Sequence, residues 1–256
     1  MGNELCPWCS CRAGEPHCGS AEKYMIFTPD FIARILISYL LGSISGGMIL
    51  GRLNGVDIRA MGSGNAGGTN AFRTMGAKFA AGVLLIDVVK GFIAVHFVPL
   101  LNLGELIPGS EVGVGFLPIA CGCGAVLGHV YPVYFKFKGG KGAGTMVGVL
   151  LALFPVGLAV CLTVWGLGLI LTGYVGFSTI LGGIILPIST FFFYEEGLAT
   201  PFGKFSIIVC LFIIFTHRSN IIQMMKGTEN RFEKAMIFQK KHKINQKDVK
   251  TADRTD

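Results

Sequence analysis

Two glycine-rich stretches hold most of the side chains in this sequence that could handle an anionic substrate. The first, residues 55–76, reads GVDIRAMGSGNAGGTNAFRTMG, and the second, residues 128–145, reads GHVYPVYFKFKGGKGAGT. In the first, Gly62-Ser63-Gly64-Asn65-Ala66-Gly67 matches GxGxxG, a pattern that marks a dinucleotide site only between a strand and a helix. Here it lies between two apolar segments, so that reading fails. What survives is a backbone able to turn N–H groups onto an anion. Ser63, Asn65, Thr69 and Asn70 add short polar donors, and Arg73 adds a fork suited to phosphate oxygens. A plain glycine-rich turn would have the same composition. In the second stretch Gly142 stands where a Walker A motif needs Ser or Thr. Gly139-Gly140-Lys141-Gly142 is still a flexible cationic loop, although lysines at a membrane surface are also ordinary anchors.

Other candidates are single residues. His129 could be a base, a phosphate donor or a hydrogen-bonded histidine at a helix end. Asp87 and Lys90 share a helix face within an apolar run, where a structural ion pair is the simpler reading. His217 and Asn220 stand three apart beyond the last apolar run and could face one pocket, while Arg218 reads as an anchor. None of these residues acts unless the surrounding segments bring them together.

Those segments are apolar. The 256 residues are 52% hydrophobic and 14% charged, against about 25% charged in a typical soluble domain. Disorder and a basic nucleic-acid binder are both excluded, and an all-α polytopic membrane protein remains. Ile35–Gly51, Phe79–Leu100 and Val112–Gly128 read as spans, and Gly197–Thr216 as the last. Between them, Gly142 to Tyr194 is a run of 53 uncharged residues. The segments 52–78 and 129–141 are basic, and ten Lys or Arg follow His217, whereas 101–111 and Glu195-Glu196 are acidic. The basic segments are therefore expected in the cytoplasm. That parity requires three crossings within the long run, of about 17 to 18 residues each, turning at Pro155 and near Gly173–Gly176. Seven transmembrane helices follow, amino terminus out and carboxyl terminus in; the alternative is five spans plus re-entrant segments.

Residues 1–29 form an external extension containing Cys6, Cys9, Cys11 and Cys18 with His17 among them. Their spacing could ligate zinc but is short and irregular, so the extension is expected to be dispensable. Residues 30–228 form the membrane domain, and 229–256 a polar, lysine-rich cytoplasmic tail.

Taken together, YLLGSISGG, the first loop, DVVKG, the second loop and HRSNI resemble, in order and spacing, the bacterial membrane glycerol-3-phosphate acyltransferases that use acyl phosphate, the PlsY family. The resemblance runs from about Leu40 to Phe232. It implies seven helices in the bacterial inner membrane, an active site facing the cytoplasm, and acyl transfer from acyl phosphate to the 1-hydroxyl of glycerol 3-phosphate. Lysophosphatidic acid and phosphate would be the products, with no cofactor or metal. By motif it places His217, Asn220, Lys141 and Ser63 in catalysis. It places Gly62, Ser63, Gly64, Asn65, Thr69, Asn70, Arg73, His129, Gly139, Gly140, Lys141 and Thr179 in substrate binding. Where the family usually has Arg-Tyr-Val-Ser-Leu-x-Ser, this chain has Gly173-Tyr174-Val175-Gly176-Phe177-Ser178-Thr179. No HxxxxD dyad is present: Tyr134 stands five residues after His129, and Ile222 five after His217. An already activated acyl phosphate would need mainly binding and alignment, with a substrate phosphate, His217 or His129 taking the hydroxyl proton. The other class of function compatible with this composition is a membrane transporter of an organic phosphate or lipid, for which Asp87, Lys90 and His96 would suit a path.

Overall fold

The computed structural model describes residues 28–101, 103 and 116–232. The four amino-terminal cysteines, most of the 101–111 loop and the tail beyond Phe232 lie outside the described residues. Among the described residues there are ten α-helices and no strand: α1 (Pro29–Gly42), α2 (Gly46–Leu53), α3 (Gly68–Met75), α4 (Ala77–His96), α5 (Leu117–Val130), α6 (Ala143–Leu153), α7 (Pro155–Thr172), α8 (Val175–Phe193), α9 (Pro201–Thr216) and α10 (Arg218–Met225). Four of them, α4, α5, α7 and α8, are each long and apolar enough to cross a bilayer on their own, α5 together with the short turn that follows it. The bent pairs α1–α2 and α9–α10 raise that number to six. Leu, Ile and Phe side chains stand exposed along these helices, as lipid-facing surfaces require.

The expected turning points in the long apolar run are where the chain turns. Phe154 and Pro155 separate α6 from α7, and Gly173, with a φ of 73°, ends α7 in the left-handed region that glycine adopts without strain. Of the three resulting helices, α6 has only 11 residues, about 16 Å of rise. It packs along α4, where Gly148 and Gly91 leave no room for a side chain against the backbones of Val88 and Thr145. Small residues serve the same purpose between α1 and α5, with Gly128 against Tyr39 and Gly42 against Ala125.

The expected single first span, Ile35–Gly51, is instead broken. α1 and α2 meet at 43° across Ser43–Ser45. The backbone groups freed by the break are met by the ion pair on α4: Lys90 Nζ donates to the Ile44 carbonyl at 2.8 Å, and the Gly46 N–H donates to Asp87 Oδ1 at 3.2 Å. Lys90 and Asp87 are themselves 2.9 Å apart and almost wholly buried. The pair is structural, as its spacing on one helix face suggests. It repairs a helix break inside the apolar region, where each unpaired backbone group would cost several kcal/mol.

Candidate active site

Asn70, on the first turn of α3, organises the first glycine loop. Its Oδ1 accepts the Ser63 N–H at 2.8 Å, and its Nδ2 lies 2.9–3.0 Å from the carbonyls of Ile58, Met61 and Asn65. The amide is fully engaged and 1% exposed. Asn70 is therefore the peg around which the loop winds, and its side chain is not available to a ligand. Gly62, at φ 55°, leaves space for that amide, since a Cβ there would stand 2.4 Å from Asn70 Oδ1. The second loop is fastened to the first by Arg59. Its Nη1 donates to the Phe135 and Lys138 carbonyls, each at 3.3 Å, while Asp57 holds the guanidinium at 2.9 Å. The hydrogen-bonded Arg59 keeps the Asp57 carboxyl below its ordinary range, and Asp57 in turn raises Arg59.

Gly139 and Gly140 differ from the sequence expectation. Their N–H groups donate to the Val130 and His129 carbonyls at 3.2 Å, closing the end of α5, so they are not free to wrap a phosphate. Gly140 is a glycine because His129 Nε2 would lie 2.2 Å from any Cβ there. The loop glycines Gly62, Gly64, Gly139 and Gly140 build the walls behind the cavity and do not line it.

What does line the cavity, about 740 Å³ in volume, is a set of helix amino termini. Gly67–Asn70 open α3, Gly142–Gly144 open α6, Val175 and Gly176 open α8, and Ser219 and Asn220 open α10. Unpaired N–H groups and the positive end of the helix dipole favour an anion at each. Ser63, Asn65, Thr69, Arg73, His129, Lys141, Thr179, His217 and Asn220 line the same cavity, so the three motifs do converge. The Lys141 ammonium donates to Asn220 Oδ1. Burial lowers the Lys141 pKa, opposed by the Glu229 carboxylate and reinforced by Arg73 and Arg218. Thr179 is partly engaged, donating to the Val175 carbonyl and accepting from Trp165 Nε1 at 3.3 Å.

The two histidines are held by different partners. Lys90 Nζ, which can only donate, lies 2.9 Å from His129 Nδ1. The same nitrogen lies 3.4 Å from Asp87 Oδ1, so it faces an ammonium and a carboxylate together. In His217 the Nδ1 donates to the Ile213 carbonyl at 2.9 Å, which leaves Nε2 of the neutral ring with a free lone pair. His217 Nε2 is thus an acceptor.

Glu229 is a cavity residue absent from the expected set. It is 8% exposed, and both carboxylate oxygens accept from Asn220 Nδ2, at 3.0 and 3.1 Å. The chain beyond it continues along the cavity, which Asn230 and Phe232 also line. Arg73 donates to the Asn230 carbonyl at 3.0 Å, Arg231 bonds the Tyr174 hydroxyl at 2.8 Å, and the Phe232 N–H reaches the Gly173 carbonyl at 2.7 Å. The start of the expected solvated tail is therefore folded onto the site. The composition of this segment gives no sign of it.

The glycerol-3-phosphate acyltransferase family model matches residues 32–227. A glycerol-3-phosphate acyltransferase of Chlorobaculum parvum is 39% identical over 225 residues, covering 78% of this chain and 96% of that one. One from Fusobacterium nucleatum is 36% identical, covering 79% and 98%. Among solved structures, PlsY, an integral membrane glycerol 3-phosphate acyltransferase in its glycerol 3-phosphate form, aligns with a TM-score of 0.66 at 34% identity, covering 79% of this chain and 95% of its own. Its lysophosphatidic acid form aligns with a TM-score of 0.65 at 33% identity, covering 78% and 94%.

Proposed function

The chain belongs to the glycerol-3-phosphate acyltransferase family, and from that premise we propose that it moves a fatty acyl group from an acyl phosphate to the 1-hydroxyl of glycerol 3-phosphate. Lysophosphatidic acid and phosphate are the products. The reading includes seven crossings of the bacterial inner membrane, with α6 as the short one, the amino terminus outside and the cavity mouth in the cytoplasm. One observation carries it: four helix amino termini, Lys141 and Arg73 converge on one end of a cavity whose other arm is apolar. Such a cavity suits two phosphates and an alkyl chain.

In this mechanism the glycerol hydroxyl oxygen attacks the acyl carbonyl carbon, and the bond from that carbon to the phosphate oxygen breaks. Lys141, Arg73 and the helix amino termini hold the phosphates and stabilise charge as it develops. The lone pair on His217 Nε2 accepts the hydroxyl proton, which leaves with the departing phosphate. His129 and Ser63 line the cavity beside the phosphates, and no acyl-Ser63 intermediate forms. Asn220 links Lys141 to Glu229 and so fixes the position of the ammonium.

The test is purified protein in lipid nanodiscs, given glycerol 3-phosphate with either palmitoyl phosphate or a palmitoyl thioester. Lysophosphatidic acid is expected from the phosphate alone. Product from the thioester and none from the phosphate would overturn the donor assignment. The transport reading would instead give flux of glycerol 3-phosphate or lipid with no lysophosphatidic acid formed.

A further inference from the structure

The second glycine loop reverses at residues 135–138 in a turn that its own sequence disfavours. The Lys138 N–H donates to the Phe135 carbonyl at 3.2 Å, and the two residues between them, Lys136 and Phe137, both have positive φ, 56° and 58°. Turns of this kind favour Asn and Gly at their central positions, because a Cβ in the left-handed region crowds the following carbonyl oxygen. Lys and Phe persist there only where the surroundings over-determine the backbone. Part of that hold is Phe135, buried in one apolar cluster with Ile58 and Ala66 of the first loop. The rest is Arg59. Its Nη1 donates to both corner carbonyls of the turn, those of Phe135 and Lys138. Asp57 keeps the guanidinium aimed there, Oδ1 accepting from Nε at 3.1 Å and Oδ2 from Nη2 at 2.9 Å. Among the described residues, no other hydrogen bond joins residues 55–67 to residues 131–141.

We propose that Arg59 is a positioning residue for the phosphate site: it holds the 135–138 turn closed and so sets Lys141 against Ser63 and Asn65. Its own place is fixed by Asn70, whose amide holds the Ile58 and Met61 carbonyls on either side of it together with the Ser63 N–H. Beyond the turn, Lys138 leads directly into Gly139 and Gly140, whose bonds to the end of α5 set the approach of Lys141. Ser63, Asn65 and Lys141 line one cavity, so a phosphate between them is held only while the turn is closed. A ligand that binds only the closed fraction has its apparent dissociation constant raised as that fraction falls, whereas the rate at saturation is unchanged. Partial unfolding does the reverse: it lowers kcat and leaves KM alone.

The inference rests on the reading of this cavity as the glycerol 3-phosphate site of an acyl-phosphate-dependent enzyme. A hydrogen bond from a charged donor is worth about 10- to 150-fold in such an equilibrium, and Arg59 makes two to the turn. Arg59→Ala should therefore raise KM for glycerol 3-phosphate at least about fivefold and keep kcat within about twofold of wild type. Lys136→Asn with Phe137→Gly installs the pair that such a turn prefers. Both positions are exposed and outside the cavity lining, so this double variant should leave both constants within about twofold. Added to Arg59→Ala, it should return KM to within about threefold of wild type. Calorimetry of glycerol 3-phosphate binding to the four proteins in nanodiscs, with no acyl donor present, should give the same order. An unchanged KM in Arg59→Ala, a lowered kcat at unchanged KM, or a KM that the turn substitutions do not restore would overturn the clamp. Binding in the expected order by a wild type that turns over no acyl phosphate would overturn the donor assignment and leave the clamp standing.

Discussion

Replacing Lys141 with Ala should abolish most acyl transfer while leaving the protein folded. The ammonium sits between the Asn220 carbonyl oxygen and the cavity, in a loop bounded by Gly140 and Gly142, and it is half-buried. Its neighbours Gly139 and Gly140 are held by α5, so the loop backbone does not depend on the lysine side chain. A hydrogen bond to a charged group contributes about 1.5–3 kcal/mol, and if it is felt in the transition state its loss slows the reaction about 10- to 150-fold. Lys136 supplies the comparison, because it is exposed and does not line the cavity; Lys136→Ala should change the rate less than about twofold. The assay is release of lysophosphatidic acid by purified variants at saturating and limiting glycerol 3-phosphate, with melting temperature measured in parallel. Equal losses in the two variants, or a Lys141→Ala protein that melts far below the wild type, would refute the separation of site from anchor.

The lowered pKa of Lys141 has opposite consequences for rate and stability. The rate should fall on an alkaline limb below the ordinary lysine value of 10.5, and Lys141→Arg should move that limb upward. Because the unfolded chain binds the proton more tightly, stability to unfolding should rise with pH between the native value and 10.5; melting temperatures across that range check the sign. Asp87→Asn would leave the buried Lys90 uncompensated and lower stability by about 3–5 kcal/mol, read as a loss of melting temperature in detergent. Gly176→Ala would place a Cβ 2.7 Å from Asn220 Cγ and push that flexible side chain off Glu229; activity should fall roughly tenfold with little change in melting temperature, as for the loss of one hydrogen bond.

The helix boundaries that depend on local chemistry were legible in the sequence. Pro155 and Gly173 stop helices by their own backbone preferences, and the apolar runs between them needed no context. The break at Ser43–Ser45 was not legible, because its cause lies on another helix: Asp87 and Lys90 supply the bonds that the broken backbone lacks. The same distinction runs through the site. Lys141, Arg73, His217 and Asn220 could be singled out by residue type and by motif, and they do share one cavity. The loop glycines looked like anion binders, but whether an N–H is free depends on which carbonyl lies opposite, and His129 and Val130 take those of Gly140 and Gly139. Asn70 looked like a ligand for the same reason. Glu229 stayed hidden within a polar, basic tail until the chain folded it against Asn220.

The central claim is that both substrates occupy the one cavity together and that the acyl group passes directly between them. Initial rates with palmitoyl phosphate and glycerol 3-phosphate varied against each other test it, alongside mass spectrometry of protein incubated with the acyl phosphate alone. The account predicts intersecting reciprocal plots and no acyl group on the protein. Parallel plots, with palmitate attached to Ser63 before glycerol 3-phosphate is added, would contradict it.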